Sequence, residues 1–431
     1  MPLSVLVLVA SFVLLLFMNV PIAVCIAVST LLTMLFTIAA QPAVATIAQQ
    51  TATGINSFAL LAIPFFILSG LLMGRGGIAR RLVNFAKAVV GMFPGGLAYV
   101  DILACMLFGS ISGSAASATS AVGSFMLPVM EKEGYDRNFN AALTVTASTT
   151  GLLIPPSNIL IIYSLASGGI SIAALFIAGY LPGILVGLSL IAVAAIFAVV
   201  KRYPVGERVG FSEAAKRLLD ALPCLFLVVI VIGGIIAGIF TATEASAIAV
   251  VYSFLLSVAV YREITIREVP EILLKSVEIT AIVMLLIGTS RGMSWILSYE
   301  NIPQGISEAL MAWTGSTFMI LLFINLILLA VGTFMDMTPA VLIFTPIFLP
   351  IAVQLGIDPI HFGIIMVLNL CIGLCTPPVG SVLFIGCGIA NTSITKLIKP
   401  LLPLYLAMIL SLLLVTYIPE ISLFLPRLFG Y

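Results

Sequence analysis

The sequence predicts an all-α polytopic membrane protein with inverted repeats, each containing one re-entrant hairpin and one broken helix. Three observations support this fold class. The 431-residue chain is 62% hydrophobic and only 8% charged, whereas soluble domains carry roughly 25% charged residues. One pattern of proline and glycine occurs twice inside apolar segments. Lysine and arginine are concentrated in loops that the spans place on one side of the membrane.

The repeated pattern predicts two interrupted helices in two halves of the chain. Proline and glycine disrupt helices, and a membrane tolerates such breaks only where protein or water covers the backbone. Breaks at matching positions are typical of the binding sites of secondary transporters. The first copy has Leu127-Pro128, Gly134, Asp136 and Gly151–Pro156, and the second has Leu349-Pro350, Gly356, Asp358 and Gly373–Pro378.

The first half contains four spans, one hairpin and one broken helix. Each arm of the hairpin has about 14 apolar residues, which is too short for a comfortable crossing. Pro155-Pro156 removes two N–H donors from the long segment that follows, so a helix cannot continue through it. The predicted elements are spans 3–18, 22–39 and 57–74, a basic surface helix within 75–87, hairpin 95–130 with its tip at 109–117, broken helix 138–167 and span 172–200.

The second half repeats this plan after a charged loop, 201–221, in which Phe211-Ser212-Glu213 indicates a short amphipathic helix. The predicted elements are spans 222–240, 243–261 and 276–297, an amphipathic segment 298–315, hairpin 316–354 with its tip at 332–339, broken helix 360–390 and span 398–418.

The charges assign a side to each copy. Counted from span 57–74, its counterpart 276–297 is five crossings further along the chain, and an odd number of steps inverts the second repeat. With 75–94 inside, all lysines and arginines except Arg291 and Arg427 fall on the inner side, as the positive-inside rule requires. Both termini are then expected on the outer side of the membrane, and the first apolar run is expected to be a span rather than a cleaved signal peptide.

Composition and motifs exclude several function classes. A net charge of +1 gives no basis for nucleic-acid binding, and the six cysteines have neither metal-site nor disulfide spacing. The chain contains no HExxH, Walker A or GxSxG motif. We therefore expect no enzyme activity and no cofactor. Transport would use an ion gradient, or the protein would be a passive pore in the lipid bilayer.

Hydroxyl and carbonyl oxygens at the tips and breaks are candidate ligands for a small monovalent cation. Half-helix ends would place partial charges beside them at the membrane midplane. Tight packing by small residues and proline kinks without a ligand are the alternatives. The hydroxyls of the first tip are Ser110, Ser112, Ser114, Ser117, Thr119, Ser120 and Ser124, and the breaks are flanked by Thr149, Thr150, Gly151, Ser157, Asn158, Gly373, Thr376, Gly380 and Ser381.

Several ionisable residues lie in or beside membrane segments, and four of them are candidates for a particular role. Asp336, at the second tip, could bind a cation, carry a proton or cap the next half-helix. Arg291, between small residues, could bind a substrate carboxylate, form a structural ion pair or extend outward. Asp101 is expected to be structural, and His361, the only histidine, is expected at the outer surface with its hydrogen bonds satisfied.

The motifs Gly109–Ser114, Gly151–Ser157, Gly332–Pro339 and Gly373–Pro378 resemble those of the large membrane subunit of TRAP transporters, the DctM-like family. The resemblance covers nearly the whole chain. It implies an ion transporter superfamily fold with a scaffold, a transport domain and a sodium-driven elevator mechanism. It also implies a bacterial inner-membrane location and two partners, a small DctQ-like membrane subunit and a periplasmic substrate-binding protein that delivers an organic acid.

The resemblance also implies roles for particular residues. The small subunit is expected to be a separate polypeptide, because little sequence precedes residue 57. The substrate residues would be Arg291, Ser112, Ser114, Ser157 and Asn158, and the sodium residues would be Ser112, Gly113, Ser114, Gly151, Pro155, Gly332, Thr333, Asp336, Gly373 and Thr376. Val379 replaces Ser157 in the second copy, so the two sites are not chemically equal.

The implied domain division alternates along the chain. Residues 1–94 and 172–315 would form the scaffold with its surface helices, 95–171 and 316–390 the transport domain, and 391–431 the last span and C-terminus. A self-sufficient anion carrier of the same superfamily and a passive channel are the alternative functions. The identity of the organic acid is not predicted, since much of the selectivity would reside in the binding protein.

Overall fold

A computed structural model describes residues 3–205 and 210–431, so 206–209 of the predicted inner loop and residues 1 and 2 lie outside the description. The described residues form twenty α-helices, and eight helices are long and apolar enough to cross a membrane. The helices are α1 Leu3–Phe17, α2 Ile22–Thr37, α3 Ala40–Ile55, α4 Ala62–Arg75, α5 Ile78–Val90, α6 Gly96–Ser112, α7 Ala115–Lys132, α8 Arg137–Thr150, α9 Asn158–Ala166, α10 Ile172–Lys201, α11 Phe211–Ile236, α12 Ala242–Phe254, α13 Val269–Tyr299, α14 Ile302–Trp313, α15 Thr317–Phe334, α16 Met337–Gln354, α17 Pro359–Leu374, α18 Ser381–Ile389, α19 Ile394–Tyr417 and α20 Glu420–Leu428.

The two predicted hairpins are confirmed. Helices α6 and α7 meet at Gly113 and Ser114, where Gly113 has a φ of 61°, a conformation that favours glycine. The Ser114 side chain accepts a hydrogen bond from the amide of Ser117 and so caps α7. Helices α15 and α16 meet at Met335 and Asp336. Each turn is shorter than predicted, because the small residues beside it are helical.

The two broken helices are also confirmed. Helix α8 ends at Thr150 and α9 begins at Asn158, while α17 ends at Leu374 and α18 begins at Ser381. The Pro155-Pro156 and Pro377-Pro378 peptide bonds, both cis, lie in the two interruptions.

The repeated Gly and Asp before each broken helix have one structural role. Gly134 and Gly356 turn the chain with φ of 82° and 79°. Asp136 then accepts a hydrogen bond from the amide of Phe139, and Asp358 accepts hydrogen bonds from two amides in its own first turn. This is N-capping, for which Asp is a preferred residue. The spacing recurs because each broken helix starts with the same turn and cap.

Three helices differ from the prediction. Helix α3 lies where a loop was expected, because its glutamines and threonines lower its hydropathy although it packs against α13. Helix α20 follows the last predicted span and packs against α10. Helix α11 is continuous from Phe211, so the predicted short amphipathic helix is its first part and Pro223 lies within it.

Packing divides most of the helices into two groups. Helices α2, α3, α4, α12 and α13 contact one another and form the first group. The hairpins, the broken helices, α10 and α19 form the second group, which we call the hairpin group. Helices α4 and α13 contact both groups. Helix α10 packs mainly against α19, α20, α6 and α17. The predicted division instead places α10 in 172–315, with the scaffold. Helix α10 begins 222 residues before α19, its counterpart in the second repeat.

The predicted basic surface helix corresponds to α5. Most of its apolar residues are buried, and it packs against α6 and α11. Arg81 forms ion pairs with Asp220 and Glu263 at 3.3 and 3.6 Å and lies 3.6 Å from the ring centre of Tyr261. These contacts attach α5 to α11 and to the segment that follows α12.

Candidate functional site

The hairpin tips and the helix breaks meet around one cavity of about 310 Å³. Ser112, Gly113 and Ser114 line it from the first tip, and Asp336 lines it from the second. The opposite wall is apolar and consists of residues of α4 and α13, including Ile67 and Ile282 among others. The cavity therefore lies between the two packing groups, with its polar surface on the hairpin group.

Four helices begin at this cavity. The first residues of α7, α9, α16 and α18, which are Ala115, Asn158, Met337 and Ser381, all line it. A helix N-terminus carries a partial positive charge and unpaired N–H groups, which attract anions. Helices α6 and α17 end there with Ser112 and Leu374, so carbonyl groups suited to a cation lie nearby.

Glycine pairs bring each hairpin arm against its broken helix. A Cβ atom on Gly151 would lie 2.4 Å from Cα of Gly109, and one on Gly373 would lie 2.5 Å from Cα of Gly332. Only glycine allows this backbone approach. Gly151, Gly332 and Gly373 were predicted as sodium residues, and what the structure shows is that they set this spacing. The pairing partner Gly109 lies within the predicted tip, but its contact was not predicted.

The structure brings together four of the predicted residues of the first repeat. Ser112, Gly113 and Ser114 form the tip, and the side-chain amide of Asn158 lies beside Gly113, where a Cβ atom would be 2.8 Å from Nδ2. The Ser112 hydroxyl donates to the carbonyl of Ser114 at 3.4 Å. These residues present hydroxyl, amide and carbonyl groups to the cavity.

Three further predicted residues, Gly151, Pro155 and Ser157, lie buried in the first break behind the tip. The Ser157 hydroxyl donates to the carbonyl of Leu152 across the break. In this arrangement it stabilises the break.

The second repeat brings its tip and break together through the backbone. The amide of Gly380 donates to the carbonyl of Thr333 at 3.3 Å. The hydroxyl of Thr333 donates to a carbonyl of its own helix at 2.7 Å, and the hydroxyl of Thr376 donates to the carbonyl of Ile372 in α17 at 2.6 Å. Their oxygens retain lone pairs that a cation could use.

Asp336 is the only charged residue among the described residues that line the cavity. It occupies the N-cap position of α16 but makes no side-chain capping hydrogen bond, and its side chain is exposed. The carboxylate lies beside the amide of Met337, the first residue of α16, so Asp336 combines a contact with the helix start and a position at the cavity. A carboxylate that faces a cavity inside a membrane protein usually has a cation or proton as its partner.

Arg291 lies apart from the other predicted substrate residues. It lines a second cavity of about 280 Å³ together with Ser57, Ser290 and Ser294, and no other charged residue is among the described residues that line it. Its Cβ packs on Gly54, where an added methyl group would lie 2.8 Å away. Both cavities border α13.

Two other ionisable residues are buried. Asp101 accepts a hydrogen bond from the Thr144 hydroxyl at 2.8 Å, and its other oxygen has no hydrogen-bond partner among the described residues. His361 is 1% exposed and contacts the Ser422 hydroxyl at 2.6 Å and the Thr416 carbonyl at 3.3 Å. Its hydrogen bonds are satisfied as predicted, but the predicted surface position is wrong because α19 and α20 cover it.

Comparison with known proteins identifies the family. Residues 9–421 match the family model described as "Tripartite ATP-independent periplasmic transporter, DctM component". The chain belongs to the DctM family. It is therefore a large permease subunit of a tripartite transporter and a multi-pass membrane protein, and the predicted family is confirmed.

Relatives match this DctM protein over nearly its full length. An uncharacterised protein, YgiK, of Salmonella typhimurium is 54% identical and covers 99% of this chain and 98% of its own. The C4-dicarboxylate TRAP transporter large permease protein DctM of Rhodobacter capsulatus is 41% identical, covering 93% and 94%. Proteins at 38% and 36% identity, from Vibrio cholerae and Escherichia coli, are named as sialic acid and 2,3-diketo-L-gulonate permeases.

A solved structure shows the same fold. The YdaH transporter of Alcanivorax borkumensis superimposes with a TM-score of 0.64 at 13% sequence identity, and the match covers 86% of each chain. At this identity the likeness concerns the fold alone.

Proposed function

We propose that this DctM protein imports an organic acid anion together with sodium ions, by an elevator movement of the hairpin group. The observation that carries the proposal is the cavity where four helix N-termini and one carboxylate meet. The N-termini favour an anion. The carboxylate of Asp336 and the oxygens of the tips favour a cation.

The mixed charges of the cavity provide a physical basis for coupling. Asp336 alone would repel an anionic substrate, because two like charges in a poorly hydrated cavity interact strongly. A bound cation would neutralise Asp336 and let the helix N-termini hold the anion. Sodium fits the available ligands, which are hydroxyl, carbonyl and carboxylate oxygens. The substrate and the ion would then bind cooperatively.

The position of Arg291 supports the elevator movement. The first cavity contacts α13 at Ile279–Leu286, and the second contacts it at Ile287–Ser294. Ile282 and Arg291 are nine residues apart, or about 13 Å along a helix. A translation of this size would carry the tip of the first hairpin from its present position to Arg291. The guanidinium would then contact the substrate carboxylate in the other state of the cycle.

The packing groups define the bodies of this movement. The moving body would contain the hairpins and broken helices together with α10 and α19, which pack on them. The static body would contain α2, α3, α4, α12 and α13. The wall of α4 and α13 is a suitable sliding surface, because the described residues that form it are apolar.

The substrate is proposed to be a small carboxylate or related acid. The names of three relatives give C4-dicarboxylates, sialic acid and 2,3-diketo-L-gulonate as their substrates. All of these substrates are organic acids, although they differ in size. Selection among them would depend on a periplasmic binding protein as well as on this cavity.

The proposed partners are a small DctQ-like membrane subunit and this periplasmic binding protein, in the bacterial inner membrane. A tripartite family requires two components besides the DctM chain. One relative is named DctMQ, and this chain covers 65% of its length, which is consistent with a small subunit that is fused there.

Reconstitution tests the proposal. Proteoliposomes that contain the chain and its small subunit should accumulate a radiolabelled organic acid only with an inward sodium gradient and a loaded binding protein. Uptake that is equally fast in choline or potassium would reject sodium coupling. Uptake without the binding protein would indicate a self-sufficient carrier, and uncoupled current in a bilayer recording would indicate a channel.

A further inference from the structure

The second break contains a side-chain hydrogen bond from a neighbouring helix. Tyr405 of α19 donates its hydroxyl hydrogen to the carbonyl of Cys375. Cys375 is the C-cap residue that follows α17, and it directly precedes Thr376. The tyrosine ring is half-buried between α19 and the break. One side chain outside the tips and breaks therefore contacts the backbone beside a predicted sodium ligand.

The first repeat has no such donor at the equivalent place. With the 222-residue offset, Tyr405 corresponds to Gly183 and Cys375 to Leu153. In the first repeat α10 instead comes directly against the break, where a Cβ atom on Gly179 would lie 2.1 Å from the carbonyl oxygen of Leu153. The first break is thus covered by backbone, and the second is held by a hydroxyl group.

The side chains at the next position have changed in a compensating way. Ile154 packs on Gly183, where a Cβ atom would lie 2.5 Å from its Cγ1. Its counterpart Thr376 is smaller and polar, and it is paired with the larger Tyr405. The first repeat thus has the larger side chain on the break and the second has it on α19, so that the space between them is filled in both, as close packing requires. The second break thereby gains one hydroxyl on Thr376 and one on Tyr405.

The hydroxyl of Tyr405 restrains the peptide that leads into Thr376, a predicted sodium ligand. The amide of Thr376 donates to the carbonyl of Gly373 at 2.9 Å. The Cys375–Thr376 peptide is therefore held at its carbonyl by α19 and at its amide by the end of α17. Backbone carbonyls bind sodium well only when they are already oriented toward the ion, since reorientation would consume binding free energy.

We propose that Tyr405 is a positioning residue of the second sodium site. Its hydroxyl holds the Cys375–Thr376 peptide, and with it the Thr376 ligand, in the ion-binding geometry. The first site has no equivalent restraint, so the two sites differ in how strongly α10 and α19 control them. This inference rests on the sodium coupling proposed above.

The test compares two tyrosine-to-phenylalanine substitutions on the same helix. Tyr405→Phe removes the hydroxyl at the break. Tyr417→Phe removes a matched hydroxyl, which donates to the carbonyl of Phe318 at 3.0 Å, far from the break. Initial uptake rates are measured in proteoliposomes as a function of sodium concentration, with saturating loaded binding protein. Melting temperatures of the purified variants, with and without sodium, are measured in parallel.

Tyr405→Phe should raise the sodium concentration at half-maximal uptake by about tenfold, the order expected when the loss of one hydrogen bond leaves the ion-binding peptide unoriented. It should reduce the sodium-dependent rise in melting temperature by more than it lowers the sodium-free melting temperature. Tyr417→Phe should leave the half-maximal sodium concentration unchanged.

Three results would overturn the proposal. In the first, the half-maximal sodium concentration of Tyr405→Phe remains within twofold of the wild-type value. This result rejects the positioning role of Tyr405 but leaves the proposed sodium coupling in place. In the second, both variants change alike, which indicates a general effect on α19. In the third, the wild type itself shows no sodium dependence of uptake or melting, which overturns the coupling and this role together. If Tyr405→Phe transports too slowly to assay, the melting measurements decide.

Discussion

At the residue scale, each of the two cavities is lined by one charged side chain, and the two charges have opposite signs. Asp336 is the charged group beside the four helix N-termini, and Arg291 is the charged group of the second cavity, among the residues that the structure describes. Their separation means that one cavity cannot use both at once in this state. Each charge therefore makes its own prediction.

Asp336→Asn should weaken sodium dependence. The amide keeps the shape of the side chain but removes the negative charge that would attract the cation, so we expect the half-maximal sodium concentration to rise about tenfold or more. Asp358→Asn is the matched control, because Asp358 only caps α17 and asparagine caps equally well. An unchanged sodium response in Asp336→Asn would remove Asp336 from the ion site.

Arg291→Ala should abolish uptake while the complex still assembles. The guanidinium is the only positive group that the described residues place in the second cavity, and alanine cannot bind a carboxylate there. Arg427→Ala serves as the control, since Arg427 forms an exposed ion pair with Glu420 at 2.6 Å. Uptake and size-exclusion elution are measured for both variants. Near-normal transport by Arg291→Ala would exclude its substrate role.

At the element scale, the contacts of the breaks depend on backbone approach. Each hairpin arm touches its broken helix through a pair of glycines, and each break is covered by α10 or α19. Sequence patterns could identify the glycines and the prolines, because each of them restricts or frees its own backbone. They could not show which helix lies opposite, since that depends on packing between distant segments.

Gly373→Ala should destabilise the second break. The added methyl group would lie 2.5 Å from the backbone of Gly332, so the hairpin arm would have to move, at a cost of about 1–3 kcal/mol or more. We expect a melting temperature several degrees lower and little uptake. In Gly388→Ala the new methyl group meets open space, and alanine favours the helix. Equal melting temperatures for the two variants would contradict the close contact.

At the scale of the whole molecule, the elevator proposal requires the two cavities to alternate. Ile282 borders the first cavity and Ser294 the second. Residues of the hairpin group line both cavities in this structure. The structure therefore represents one position of the proposed movement. Exposure of the α13 residues to solvent should change as the hairpin group slides along them.

Single cysteines at these two positions should report the alternation. In Ile282→Cys and Ser294→Cys, labelling by a membrane-impermeant maleimide should respond in opposite directions to sodium plus loaded binding protein. The six native cysteines are buried and give a low background. Parallel changes at both positions would argue against a translation along α13.

The sequence by itself determined the membrane class, the doubled hairpins and broken helices, and the start of each broken helix. These features depend on hydropathy, on proline and glycine, and on the local caps Asp136 and Asp358, all of which act within a few residues. The tertiary structure alone decided that Arg291 lies apart from the tips, that α10 packs with the hairpin group, and that Tyr405 holds the second break. Each of these depends on contacts between residues far apart in the chain, for which one sequence contains no local signal.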